Sequence, residues 1–164
     1  MIRLILVPLD GSEVSRSVLP TIEDLAAACG ATVVLFHAVT PVIATYPGVE
    51  MIATSDGMLD ERRIAAERFL ADTAAPLEAA GLAVSRLVTI GSPVDAILSA
   101  ALELRADMIA MSTHGRSGVG RLILGSVADA VLLRTHLPCL LLRPEHVGAS
   151  RNFDVSAAAS GASR

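Results

Sequence analysis

Short apolar runs alternate along this chain with longer stretches of helical period. The runs fall at residues 2–9, 32–39, 83–89, 107–112 and 138–143. They are nearly continuous, the pattern of strands buried on both faces of a parallel sheet, and the helical stretches between them supply the cover. In the first of those stretches Val14, Val18, Leu19, Ile22, Leu25, Ala26 and Cys29 share one helical face. Gly30 follows where a left-handed cap is wanted. Pro20 interrupts the pattern, so the helix either kinks there or starts its regular part late. A second helix is expected from about residue 59 to 80, with Ile64, Leu70 and Leu77 inward, Gly81 as its stop and a bend at Pro76. Ser92, Pro93 and Asp95 announce a third through a cap, a preset first position and an S-x-x-D box. Its inner face is Val94, Ile97, Leu98, Ala101 and Leu104. The last helix opens at Ser126, with Asp129 three residues on. Residues 40–57 contain Pro41, Pro47, Gly48 and Gly57 without sustained period and read as a loop, the segment best able to move.

After Pro144 the composition turns to Gly, Ala, Ser and scattered charge, so the expected division is a domain over residues 1–144 and a disordered tail over 145–164. The 164 residues are one domain's worth of chain. At this size a domain buries roughly 70% of its unfolded surface and needs no disulfide or metal. With 52% hydrophobic residues but only 2% aromatic, the core must be aliphatic. A net charge of −4 and no Trp argue against nucleic acid, which seeks positive charge and stacking platforms. No apolar run approaches the ~20 residues that span a bilayer. The first run is shorter than a signal-peptide core and meets Asp10 at once. A cytoplasmic protein without a membrane partner is expected. Cys29 and Cys139 lack metal or redox spacing and read as buried free thiols.

Open parallel sheets bind ligands beyond the carboxyl ends of their strands, where the strand order reverses. Two places fit. One is Asp10-Gly11-Ser12, directly past the first run; the other is the segment from Met111 to Ser126, past the fourth. In the second, Gly115, Gly118 and Gly120 permit inward-pointing amides, Arg116 and Arg121 add positive charge, and Gly125-Ser126 opens a helix N-terminus. A phosphate chain suits it. The competing interpretation is structural: the glycines make only a flexible turn, Ser126 is only a helix cap, and Asp10 caps the first helix. The near-match to a P-loop fails, because Arg121 stands for the lysine and Leu122 supplies no hydroxyl. The dinucleotide fingerprint fails too, since Ile123 stands where its last glycine belongs.

Residues 5–13, the second-strand end at 35–39, Gly91-Ser92-Pro93, 113–118, 125–128 and 138–142 together resemble the universal stress protein family over residues 2–143. The resemblance implies an α/β fold, a single-domain three-layer α/β/α sandwich with a five-stranded parallel sheet of order 3-2-1-4-5, like that of adenine nucleotide α-hydrolases. It also implies a homodimer joined through the last strand, between Pro138 and Arg143. An unpaired apolar edge invites such pairing. One branch binds ATP through G-x-x-G, nine residues, G-[ST]. Here Gly115 and Gly125-Ser126 keep that spacing, but Ser112 replaces the first glycine, and its Cβ narrows the backbone's approach to a ligand. Carried onto matching positions, Asp10 meets the ribose or adenine side, and Pro8 and Ala38 border the base, Ala38 through its backbone. Met111 packs near the base. Ser112, Gly115, Arg116, Gly125, Ser126 and Val127 hold ribose and phosphates. His114 falls within the motif and reads equally as a residue that supports its neighbours, while His37 reads as structural.

The implied ligand is ATP, with ADP or AMP as further candidates and magnesium sharing Asp10. Hydrolysis requires an activated in-line water and stabilisation of the phosphoryl group. Only Asp10 and Arg116 offer themselves, and no general base is legible beside them. The readings are therefore a nucleotide-binding stress-response protein with at most slow hydrolysis, or a stress-response interaction module that binds no nucleotide. A small-molecule enzyme of the α-hydrolase type would need catalytic segments beyond this length.

Overall fold

The computed structural model describes residues 1–41, 44–46, 49–51, 56–113 and 125–143. Along the chain lie β1 (Leu4–Pro8), α1 (Glu13–Arg16), α2 (Leu19–Cys29), β2 (Thr32–Val39), β3 (Ala44–Tyr46), β4 (Val49–Met51), α3 (Asp56–Ala79), β5 (Val84–Ile90), α4 (Pro93–Glu103), β6 (Met108–Ser112), α5 (Ser126–Arg134) and β7 (Cys139–Leu142). Five strands form a parallel sheet in the order β5-β2-β1-β6-β7. Numbered among themselves they run 3-2-1-4-5. The expected tail lies outside the described residues.

Period-two alternation sends successive side chains to opposite faces, and each face has its own helices. Ile5 and Val7 of β1 join Val33 and Leu35 of β2, Val18 and α2's Ile22 and Ala26, and α3's Leu70, Ala74 and Leu77 in one buried cluster. Leu6, Val34, Phe36 and Ile109 point the other way, against Ile97, Ala100 and Ala101 of α4 and Ala128 and Val131 of α5. Both clusters are overwhelmingly aliphatic, as the composition requires.

Pro20 acts by delaying the helix. A separate single turn, α1, precedes α2, and the proline sits in the first turn of α2, where its missing amide costs no helical bond. Gly30 closes α2 at φ 65°, with its N–H on the Ala26 carbonyl. Four expectations need correction. Ile64 is 41% exposed; the inner stripe of α3 is Ala66, Leu70, Thr73, Ala74 and Leu77. The Ser92 hydroxyl does not cap α4, and the Asp95 carboxylate accepts from Arg134 Nη2 at 2.7 Å. Within the expected loop at 40–57, β3 and β4 pair antiparallel, Thr45 opposite Glu50. The cysteines are free thiols but only half-buried.

Candidate functional site

Strand β1 stops short of its neighbours. Pro8 is opposite Phe36, after which the Leu9 N–H donates to the Phe36 carbonyl at 2.8 Å, while β2 runs on to Val39. A cleft of ≈ 660 Å³ opens over this step. Pro8, Asp10, Ala38, Met111, Ser112, Gly125, Ser126 and Val127 all line it, so these positions, scattered over four stretches of the sequence, meet in one place. His114, Gly115 and Arg116 lie outside the described residues, as does Arg121.

The floor of the cleft is a self-bonded turn. Asp10 Oδ1 accepts from Ser12 N at 2.9 Å and from Ser12 Oγ at 2.6 Å, and Ser12 Oγ accepts from Ser15 N at 3.1 Å. Ser12, not Asp10, is thus the N-cap of α1; Asp10 acts one step earlier, holding the capping residue. Gly11 takes φ 87°, which a residue with a Cβ rarely adopts.

One wall is the start of α5. Its N-cap is Gly125, so the Ser126 hydroxyl is not the cap, contrary to the structural interpretation. The Gly125 N–H donates to the Thr113 carbonyl, and Thr113 N donates to Leu142 O at 2.8 Å. Thr113 is thereby tied to β7, and the start of α5 is tied to Thr113. Amides in the first turn of a helix have no intrahelical acceptor, and the helix dipole places partial positive charge there. The chemistry of this end of the cleft suits an anion.

The opposite wall is the end of β2. Phe36 directs its carbonyl toward β1, and Val39 directs its own toward β5, where it accepts from Gly91 N at 3.0 Å. By the alternation between them, the N–H and C=O of Ala38 face the β1 side, beyond the point where β1 has ended. They form an adjacent donor and acceptor at the rim. The cleft therefore has a helix N-terminus on its β6 side and a backbone donor–acceptor pair on its β2 side.

Sequence reasoning missed the contribution of α3. Phe69, Ala65 and Ala66 line the cleft, and so does Arg62, whose Nη1 donates to the Thr40 carbonyl at 3.1 Å. His37 lines it too and meets the Phe69 ring edge-on, with centroids 6.1 Å apart. Arg16 lies over the same Phe69 ring, 5.4 Å from its centroid. The spacing of Arg62, Ala65, Ala66 and Phe69 marks one helical stripe. What it could not reveal is that this stripe overhangs the end of β2.

A magnesium ion accompanying phosphates is ordinarily held by one or two carboxylates, the phosphates and water. Asp10 supplies one such carboxylate in the cleft. Among the described residues no cluster of three or more acidic, His or Cys side chains is arranged to hold a metal by itself. No described helix is long and apolar enough to cross a membrane.

The chain matches the universal stress protein family over residues 1–143. It is 34% identical over 147 residues to the Thermus aquaticus universal stress protein in the QAH/OAS sulfhydrylase 3′ region, covering 87% of this chain and 100% of that one. Its fold is that of the Methanocaldococcus jannaschii protein MJ0577, with a TM-score of 0.76 at 22% identity over 89% of this chain and 99% of the other. Similar folds include a universal stress protein in complex with cAMP (TM-score 0.65, 23% identity, 88% and 98% covered). Another is the Archaeoglobus fulgidus universal stress protein in complex with dAMP (TM-score 0.62, 21% identity, 86% and 97% covered). Sheet order, the matched length and the relatives agree: this chain belongs to the universal stress protein family.

Proposed function

We propose that this chain is a stress-response protein that binds an adenine nucleotide, ATP or its di- or monophosphate, in the cleft over the end of β1. The observation that carries the reading is the polarity of the cleft. An anion-seeking helix terminus stands on one side, and the N–H and C=O of Ala38 stand on the other. Adenine offers an acceptor, N1, beside a donor, the 6-amino group, which complements that pair; guanine offers the reverse. Ribose then lies over Pro8 and Asp10, with Ser112, Gly125, Ser126 and Val127 toward the phosphates. Met111, 5% exposed, belongs to the core beneath and supports the cleft floor. His114, Gly115 and Arg116 are assigned to the same phosphate side from the motif.

Magnesium fits this arrangement through Asp10, where it would supply charge neutralisation for the phosphates. The chain's own residues bind and orient; none of those described is set as a general base against the phosphate end. Nucleotide binding is accordingly the proposed activity, with regulation through a dimer paired along β7. The competing interaction-module reading predicts an empty cleft.

The test is to denature the purified protein and assay the supernatant for adenine nucleotide, then titrate ATP calorimetrically with magnesium. Released or titratable nucleotide is expected, and Gly125→Val, which puts a branched side chain where the phosphates approach, should weaken binding by about tenfold or more. Absence of nucleotide together with no heat of ATP binding would overturn the proposal.

A further inference from the structure

We propose that Arg62 is a base-binding residue, closing the β2 end of the cleft over the nucleotide's base; the inference rests on the nucleotide reading above. Arg62 is anchored to the Thr40 carbonyl, immediately past the last residue of β2. Ala38 lies two residues earlier, roughly 6.5 Å along the strand. A base that meets the Ala38 backbone therefore comes within reach of the guanidinium.

No ion pair among the described side chains takes up the charge of Arg62. Among the described residues no carboxylate lies within 4.0 Å of it, whereas its neighbour Arg63 pairs with both Asp60 and Glu67. One of its five N–H donors holds Thr40, which orients the planar group at the cleft rim. A guanidinium so held stacks on an aromatic ring and shields the hydrogen bonds beneath it from water. A role on phosphate is disfavoured by position. The α5 N-terminus stands on the β6 side, two strand spacings or roughly 10 Å from β2. No other Arg or Lys is found among the described residues that line the cleft.

The experiment titrates AMP, adenosine and inorganic tripolyphosphate into wild type, Arg62→Ala and Arg62→Lys. Melting curves confirm that each variant folds. Loss of the guanidinium should weaken AMP and adenosine alike, by roughly fivefold to tenfold, and leave tripolyphosphate unchanged. Arg62→Lys, which keeps the charge but not the plane, should recover only part. Equal weakening of tripolyphosphate would make Arg62 a phosphate ligand and overturn the assignment, as would unchanged AMP affinity in Arg62→Ala. If that variant does not melt cooperatively, Arg62→Lys decides, since wild-type affinity there denies any need for a planar group. A wild type that binds neither AMP nor tripolyphosphate overturns the nucleotide reading itself. A wild type that binds AMP beside an indifferent variant removes only the role of Arg62.

Discussion

Asp107 ties the beginnings of two strands together. Its Oδ2 accepts from Arg3 N at 2.8 Å and from Leu4 N at 3.0 Å, and its own N–H donates to the Leu4 carbonyl at 3.0 Å. The two backbone donors, Arg3 first, favour the ionised carboxyl and hold its pKa below the usual aspartate range. A depressed folded-state pKa contributes stability above the unfolded pKa, and that contribution is lost as pH falls through the folded value. Asp107→Ala should therefore melt at a lower temperature than wild type near neutrality, and the two should converge in acid. Thermal unfolding followed by circular dichroism over that range measures it; an offset that persists in acid would contradict the mechanism. Read from sequence, Asp107 merely opened an apolar run, because the backbone it serves is 104 residues away. Asp10 was legible as a strand-end carboxylate, but its bond to the capping Ser12 depends on the turn at Gly11.

At the scale of elements, punctuation residues carried the most reliable information. Gly30 was expected to end the first long helix and does so in the left-handed region. A Cβ built there meets nothing within 4 Å, so the cost of a side chain is conformational alone. Gly30→Ala should destabilise the protein by about 1 kcal/mol in urea unfolding, and Gly30→Asn by less. An Ala variant as stable as wild type would show that the cap is dispensable. The inward face of α3 was harder to read. Ile64 and Leu70 are both apolar, but the buried stripe runs through Ala66, Leu70, Thr73, Ala74 and Leu77, and Ile64 lies roughly 140° around the helix from it. The β3–β4 pair escaped notice for a related reason. Three-residue strands are too short for alternation to be distinguished from loop.

For the whole molecule, the sheet has two edges, β5 and β7. All four residues of β7 are only half-buried, although Leu140 and Leu142 pack on one cluster and Cys139 and Leu141 on the other. Pro138 and Leu142 direct their carbonyls at β6, so Leu141, of opposite parity, directs its N–H away from it. If β7 pairs with a second copy, sedimentation should give twice the chain mass, and Leu141→Pro should yield a folded monomer, because it deletes an outward donor and spares the ladder to β6. A monomeric wild type would overturn the dimer proposal.

The apolar runs, the helical periods and the glycine and proline positions by themselves determined an α/β domain with strands buried on both faces. Such patterns are local consequences of periodicity and backbone sterics. The family motifs added the strand order, now seen in the sheet, and named residues of which those described line one cleft. Tertiary structure alone decided that β1 ends early, that this opens the Ala38 backbone, and that Arg62 and Phe69 reach the same rim. Those features arise from the relative reach of neighbouring strands and from the overhang of a helix, distances set by packing between segments that no local pattern encodes.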